Sequence, residues 1–129
     1  MNNRTLAAIL AAIVLAAGTT AGAHHSFAAF NTTAEKTITG TVKVFEWTNP
    51  HTWVWVDVTN DKGAVETWGV EGMSPNYLAR RGWTKNTFKF GDKVTIVVRP
   101  LRDGSTGGMF VRATLSDGRE LTFAAGPGQ

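Results

Sequence analysis

Residues alternate in character over 37–47. Ile38, Gly40, Val42 and Val44 share one parity, and Thr39, Thr41, Lys43 and Phe45 share the other. Period-two alternation with β-branched residues predicts a strand with one buried face. Thr48-Asn49-Pro50 ends it, because proline has no ladder donor and asparagine favours turns. A second strand is expected over 51–58, with Val54, Val56 and Val58 on one face. His51, Trp53, Trp55 and Asp57 occupy its other face. Asn60-Asp61-Lys62-Gly63 then reads as a hairpin turn into a third strand over 65–70.

The pattern changes at 74–82, where a short helix is predicted with both ends specified. Ser74 can accept from the free N–H groups of the first turn, and Pro75 suits that turn. Arg80 and Arg81 complement the negative C-terminal end, and Gly82 can adopt the left-handed conformation that stops a helix. Alternation resumes at 93–99 through Val94, Ile96 and Val98. A glycine-rich loop over 101–108 and a fifth strand over 109–115 follow. Asp117-Gly118 is a hairpin signal leading into 120–123, and 124–129 reads as a flexible tail. Three strands, a helix, two strands and a terminal hairpin strand is the order of a small OB-like barrel of five to six strands, mainly β, with one short helix between strands three and four. A β-sandwich is the competing topology. In OB folds, ligands meet the face of strands two and three and the loops joining strands one to two and four to five.

The first residues differ in kind. Arg4 precedes an apolar and small-residue run over 6–17, the layout of a secretory signal peptide with its h-region of roughly 7–15 residues. A membrane span needs about 20 apolar residues, and Gly18-Thr19-Thr20 breaks the run before that. Ala21-Gly22-Ala23 offers the small residues that the signal peptidase requires. The expected organisation is therefore a signal peptide over 1–23, an N-terminal arm over 24–36, and a barrel domain over 37–123. The expected location is the periplasm or the exterior, with no stable membrane span after leader removal. The chain has no cysteine, so neither disulfides nor a thiol-linked lipid can contribute. Its net charge of +3 is modest and lacks the clustered basic face that nucleic-acid binding demands.

Several segments resemble an exported bacterial family catalogued as domain of unknown function 6152. They are His24-His25-Ser26-Phe27, Gly40-Thr41-Val42, Phe45-Glu46-Trp47-Thr48-Asn49-Pro50-His51 and Val56-Asp57-Val58, with Trp68, Ser74-Pro75-Asn76, Arg81-Gly82-Trp83 and Gly91-Asp92. The resemblance implies an exported domain and brings no activity with it.

The three histidines, His24, His25 and His51, form a candidate metal site, since neutral imidazole is the commonest metal ligand and suits copper, zinc or nickel. Cleavage after Ala23 would let the α-amine and imidazole of His24 chelate Cu(II), with His51 as a third nitrogen donor if the N-terminus folds back onto strand two. Cleavage after Gly22 would instead place a histidine third, holding square-planar copper or nickel through the amine and backbone nitrogens. The alternative is that His24 and His25 are exposed and His51 bonds within its own turn.

Five tryptophans form the second candidate site. Trp47, Trp53, Trp55 and Trp68, with Arg102 in the glycine-rich loop, would build an aromatic ligand-binding face. Such a face suits an envelope glycan or protein partner, although aromatic rings also dominate small cores by area. Phe27 and Phe30 of the arm are candidates to cover it. Ser26, His51 and Asp57 carry no local catalytic signature, and on one strand His51 and Asp57 would stand roughly 20 Å apart. Glu46, Glu66 and Glu71 read as solvated strand positions. The expected function is thus a non-enzymatic binding or accessory domain, with copper at its N-terminus or, in the alternative, a metal-independent aromatic face.

Overall fold

The computed structural model describes residues 27–123. A short 3-10 turn, Phe27–Ala29, leads into β1 (Lys36–Glu46), β2 (Trp53–Thr59) and β3 (Val65–Glu71). Helix α1 (Pro75–Ala79) follows, then β4 (Lys93–Pro100), β5 (Gly107–Leu115) and β6 (Glu120–Thr122). β1 pairs antiparallel with both β2 and β4, and β4 pairs with β5. Gly69, Val70 and Glu71 pair in parallel with Gly107, Gly108 and Met109, joining β3 to β5. This last pairing closes a five-stranded barrel in the order β1-β2-β3-β5-β4, with β6 added outside on β5. The architecture is the OB-like one, which corrects the sandwich alternative.

The alternating positions fill the interior as their parity dictates. Ile38, Val42, Val54, Val56, Val70, Val94, Ile96, Val98, Ala113 and Leu115 are all buried. At about 25 cal/mol per Å² of apolar surface, each fully buried valine or isoleucine contributes on the order of 2 kcal/mol before conformational entropy is counted. Helix α1 closes one end of the barrel through Leu78, beside Trp83 and Phe88. Its N-cap is the one read from the sequence, whereas the helix ends at Ala79 with Arg80 as C-cap, well inside the expected 74–82. Ser74 Oγ accepts from the Tyr77 N–H at 3.3 Å, proline opens the helix, and Gly82 has φ +83°. Trp83 stands edge-on to Phe88 and Phe110, and its indole N–H donates to the Thr122 carbonyl at 3.3 Å.

Several boundaries and one phase differ from expectation. β2 begins at Trp53 rather than His51, since the segment after Asn49-Pro50 enters the ladder late. β5 begins at Gly107 rather than Met109, because the closing pairing with β3 recruits two residues of the glycine-rich loop. β1 begins one residue early at Lys36, opposite Val98. The phase change lies in β1, where the register with β2 slips between Val42 and Val44. A bulge places one extra residue in one strand and reverses its inside–outside alternation beyond that point. Val44 therefore faces outward at 43% exposure, and Phe45 turns in to pack on the core.

Candidate functional site

The outer surface of the barrel carries a row of residues linked by strand register. Glu46 on β1 partners Trp53 on β2, Trp53 partners Glu71 on β3, Glu71 partners Met109 on β5, and Met109 partners Arg99 on β4. Alternation turns these side chains away from the core, because Phe45, Val54, Val70, Phe110 and Val98 beside them point inward. A second row runs Val44, Trp55, Gly69 and Gly107.

His51 lies just before β2, and its Nδ1 contacts Glu71 Oε1 across the hairpin. An ionised carboxylate can only accept, so Nδ1 is the donor in this contact. The His51 side chain is 45% exposed, against 15% for Glu71. Thr52 is buried and turns inward, and both its N–H and its hydroxyl donate to the Met73 carbonyl at 3.0 Å. These bonds set Met73 opposite the segment that carries His51.

The N-terminal arm approaches the same end of the barrel. Asn31 N–H donates to Pro100 O at 2.8 Å, and Phe30 bridges to Leu101 and is buried. Arg102 holds the preceding turn, its backbone N–H on Ala29 O at 2.9 Å and its Nε–H on Ala28 O at 3.1 Å. Phe27, 59% exposed, lines a groove of about 250 Å³ with Met73, Arg99, Met109, Phe110, Val111 and Phe123. The first described residue of the arm is thus seated beside the outer row, on its β4–β5 side. His24 and His25 lie outside the described residues.

The tryptophans divide between two environments. Trp53 and Trp55 stack on the outer face, with centroids 5.8 Å apart and planes 16° from parallel. Trp55 lies over Gly69, where a β-carbon would sit 2.8 Å from its ring. Its buried Nε1 has no hydrogen-bond partner among the described residues. Trp47 and Trp68 do not join them. The bulge in β1 turns Trp47 toward the core, edge-on to Phe45 at 5.7 Å. Trp68 shares the parity of Val70 and is buried inside at 6% exposure, with Lys36 Nζ 4.7 Å above its ring. Arg102 also departs from the aromatic face and serves as the clamp on the arm. Phe27 and Phe30 pack by β4 and β5 instead of over the Trp53–Trp55 pair.

In the loop after Arg102, the Ser105 hydroxyl and N–H donate to Asp103 at 2.6 and 2.9 Å. Led by the hydroxyl bond, these hold the Asp103 carboxyl below the usual carboxylate range. Arg102-Asp103-Gly104 is therefore a hydrogen-bonded turn. Among the described residues, no three His, Cys, Asp or Glu side chains are grouped to hold a metal ion. Glu71, expected as a solvated strand position, is instead only 15% exposed and bonded to His51, and sequence reading did not single out Met73 or Met109. The hairpin register was their one available signal, since it carries Glu71 back to His51 across 20 residues.

The family model described as a family of unknown function, DUF6152, matches residues 11–112. The chain belongs to that family. The match spans the arm, β1 to β4, helix α1 and most of β5, so it takes in His51, Glu71, Met73 and Met109. No curated protein matches the chain. Among solved structures, it is similar to the mitochondrial single-stranded DNA binding protein Rim1 of S. cerevisiae. Identity is 11% and the TM-score 0.46, over 64% of this chain and 94% of that one.

Proposed function

We propose that this DUF6152 chain is an exported, non-enzymatic domain that holds a copper ion where its mature N-terminus meets His51. The position of Phe27 carries the reading. Two residues beyond His25, it lines a groove with Met73 and Met109, and Met109 is the register partner of Glu71, the carboxylate that holds His51. Neighbouring strands lie about 4.8 Å apart, and each extended residue covers roughly 3.5 Å. His24 precedes Phe27 by three residues, a length of at most about 10 Å of extended chain.

His51 is prepared as metal-ligating histidines are. A carboxylate on one ring nitrogen fixes the tautomer and raises the basicity of the other. Leader removal after Ala23 then supplies an α-amine and an imidazole from His24, and His51 Nε2 completes a three-nitrogen set suited to Cu(II). Removal after Gly22 would instead build the site on the amine, backbone nitrogens and His25.

A second reading, a metal-independent glycan- or protein-binding face, is favoured by the outward stack of Trp53 and Trp55. One set of measurements separates the two. Intact mass of the exported protein identifies residue one, and calorimetry of that processed form with Cu(II) should show sub-micromolar binding. His24→Ala and His51→Ala should each weaken it severely, and Glu71→Gln by about tenfold or more through the freed imidazole. Absent heat, or affinities unchanged in the histidine variants, would overturn the copper reading. Retention of metal-free protein on an envelope-glycan matrix, lost in Trp53→Ala, would favour the second reading instead.

A further inference from the structure

We infer that the loop between helix α1 and β4 is a docking surface for an anionic lipid bilayer, with Phe90 entering the interface and the bases around it meeting headgroup phosphates. Neither copper nor the Trp53–Trp55 face enters this reading. Charge is unevenly spread along the chain. Residues 80–93 hold five bases, Arg80, Arg81, Lys85, Lys89 and Lys93, against the single acid Asp92. The whole chain carries only +3, so its remainder is net negative and the positive potential is concentrated on this stretch. The same stretch carries Phe90, which at 85% is the most exposed large apolar side chain among the described residues.

Inward anchors decide which side chains of the stretch face out. Leu78, Trp83, Thr87 and Phe88 are buried, which leaves Arg80, Lys85, Lys89 and Phe90 exposed. Two tight turns hold them. In the first, the Thr84 N–H donates to Thr87 Oγ1 at 2.8 Å and the Thr87 N–H to Thr84 O at 3.0 Å, with Lys85 between. In the second, Asp92 Oδ2 accepts from the Lys89 N–H at 2.9 Å, and the Asp92 N–H donates to Lys89 O at 3.1 Å. The one acid of the stretch is thereby occupied within its own turn. Gly91 has φ +87°, as the third residue of a type II turn requires, so Phe90 is the second and stands at the tip. The Gly91 N–H donates to Val42 O and the Val42 N–H to Asp92 O, both at 2.9 Å, which fastens the turn to β1. Phe90 is therefore presented on a fixed backbone, and little ordering is left to be done on binding.

The composition favours lipid over nucleic acid. Single strands are held by several rings on which successive bases stack, whereas Trp83 and Phe88, the other rings of this stretch, are buried. One projecting ring beside lysines is the arrangement of an interfacial anchor. The lysine stems lie along apolar surface while their ammonium groups reach phosphate, and each base near an anionic leaflet adds attraction.

The test is co-sedimentation of the processed protein, in which the apolar run over 6–17 is absent, with two kinds of vesicle. One is made of equal parts phosphatidylglycerol and phosphatidylcholine, the other of phosphatidylcholine alone. Wild type should bind the anionic vesicles about tenfold or more tightly than the neutral ones. Salt at about 1 M, which shortens the screening length to about 3 Å, should remove that difference. Phe90→Ser should weaken binding by about tenfold, the loss of one inserted ring, and Phe90→Leu should keep most of it. Lys85→Gln combined with Lys89→Gln should weaken it roughly twentyfold, each base near an anionic surface being worth roughly fivefold. These side chains are exposed, so thermal unfolding of every variant should match wild type. Wild type that stays in the supernatant, equal binding to neutral vesicles, or binding unchanged in Phe90→Ser and in the lysine pair would overturn the inference. Retention on a single-stranded oligonucleotide without vesicle binding would overturn it in favour of nucleic acid.

Discussion

Gly40 sits where β1 passes from β4 to β2, and a β-carbon there would lie 2.2 Å from the Asp57 carbonyl and 2.9 Å from Val56 Cγ1. Backbone cannot move aside as a flexible side chain can. Gly40→Ala should therefore destabilise the barrel by about 3 kcal/mol, the upper range for overpacking, and lower the Tm by roughly 12 °C or more. Gly69 is confined differently, since its obstacle is the Trp55 ring. Gly69→Ala should cost less, about 1 kcal/mol, and should separate the Trp53–Trp55 stack. Near-ultraviolet circular dichroism would register that change, while an unperturbed Tm in Gly40→Ala would contradict the packing argument. Neither constraint is visible in the sequence, where each glycine is simply one member of an alternating run. Each is imposed by an atom from a neighbouring strand.

Helix α1 was the most legible element, because its start and stop signals act within a single turn. Ser74 caps Tyr77, Pro75 opens the helix and Gly82 takes the positive φ, as their residue types require. Ser74→Ala should lose about 1 kcal/mol with no change in β-sheet content, and chemical denaturation would measure it. The strands were legible in location but less so in phase. In β1 the sequence reads Val42-Lys43-Val44-Phe45, and both Val44 and Phe45 are apolar, so alternation permits either to be the inward residue. The bulge chooses Phe45, and that choice also carries Trp47 to the core side. Trp68 was ambiguous for a related reason. Tryptophan suits a ligand face or a core equally well, and only its shared parity with Val70, buried at 0% exposure, marks it as interior.

For the molecule as a whole, the decisive contact is between β3 and β5. It closes the barrel and brings Met109 alongside Glu71, and with it the groove in which Phe27 is seated. The arm is held there by Arg102 and by the Phe30–Leu101 bridge. Arg102→Ala removes the Nε bond to Ala28 while keeping the backbone bond to Ala29, a loss of about 1 kcal/mol. Amide exchange at Asn31 should accelerate, and on the copper reading Cu(II) affinity should fall roughly fivefold, the same free energy expressed as binding. Exchange protection equal to wild type would show that Arg102 does not hold the arm.

The sequence by itself determined the order of the elements, the positions of the turns, the start of the helix and the shared outward face of Trp53 and Trp55. Those features follow from residue type and from periodicities of two to four residues, which are local. Tertiary structure alone decided which way β1 turns after its bulge, that Trp68 lies inside, and that Arg102 serves the arm. It also decided that Glu71 meets His51 and that Met109 lies alongside Glu71 in the sheet. Their meeting depends on hairpin register and on barrel closure, and both join residues that are distant along the chain. A histidine read from the sequence as one candidate ligand thereby becomes, in the folded chain, an imidazole held by a carboxylate from the neighbouring strand.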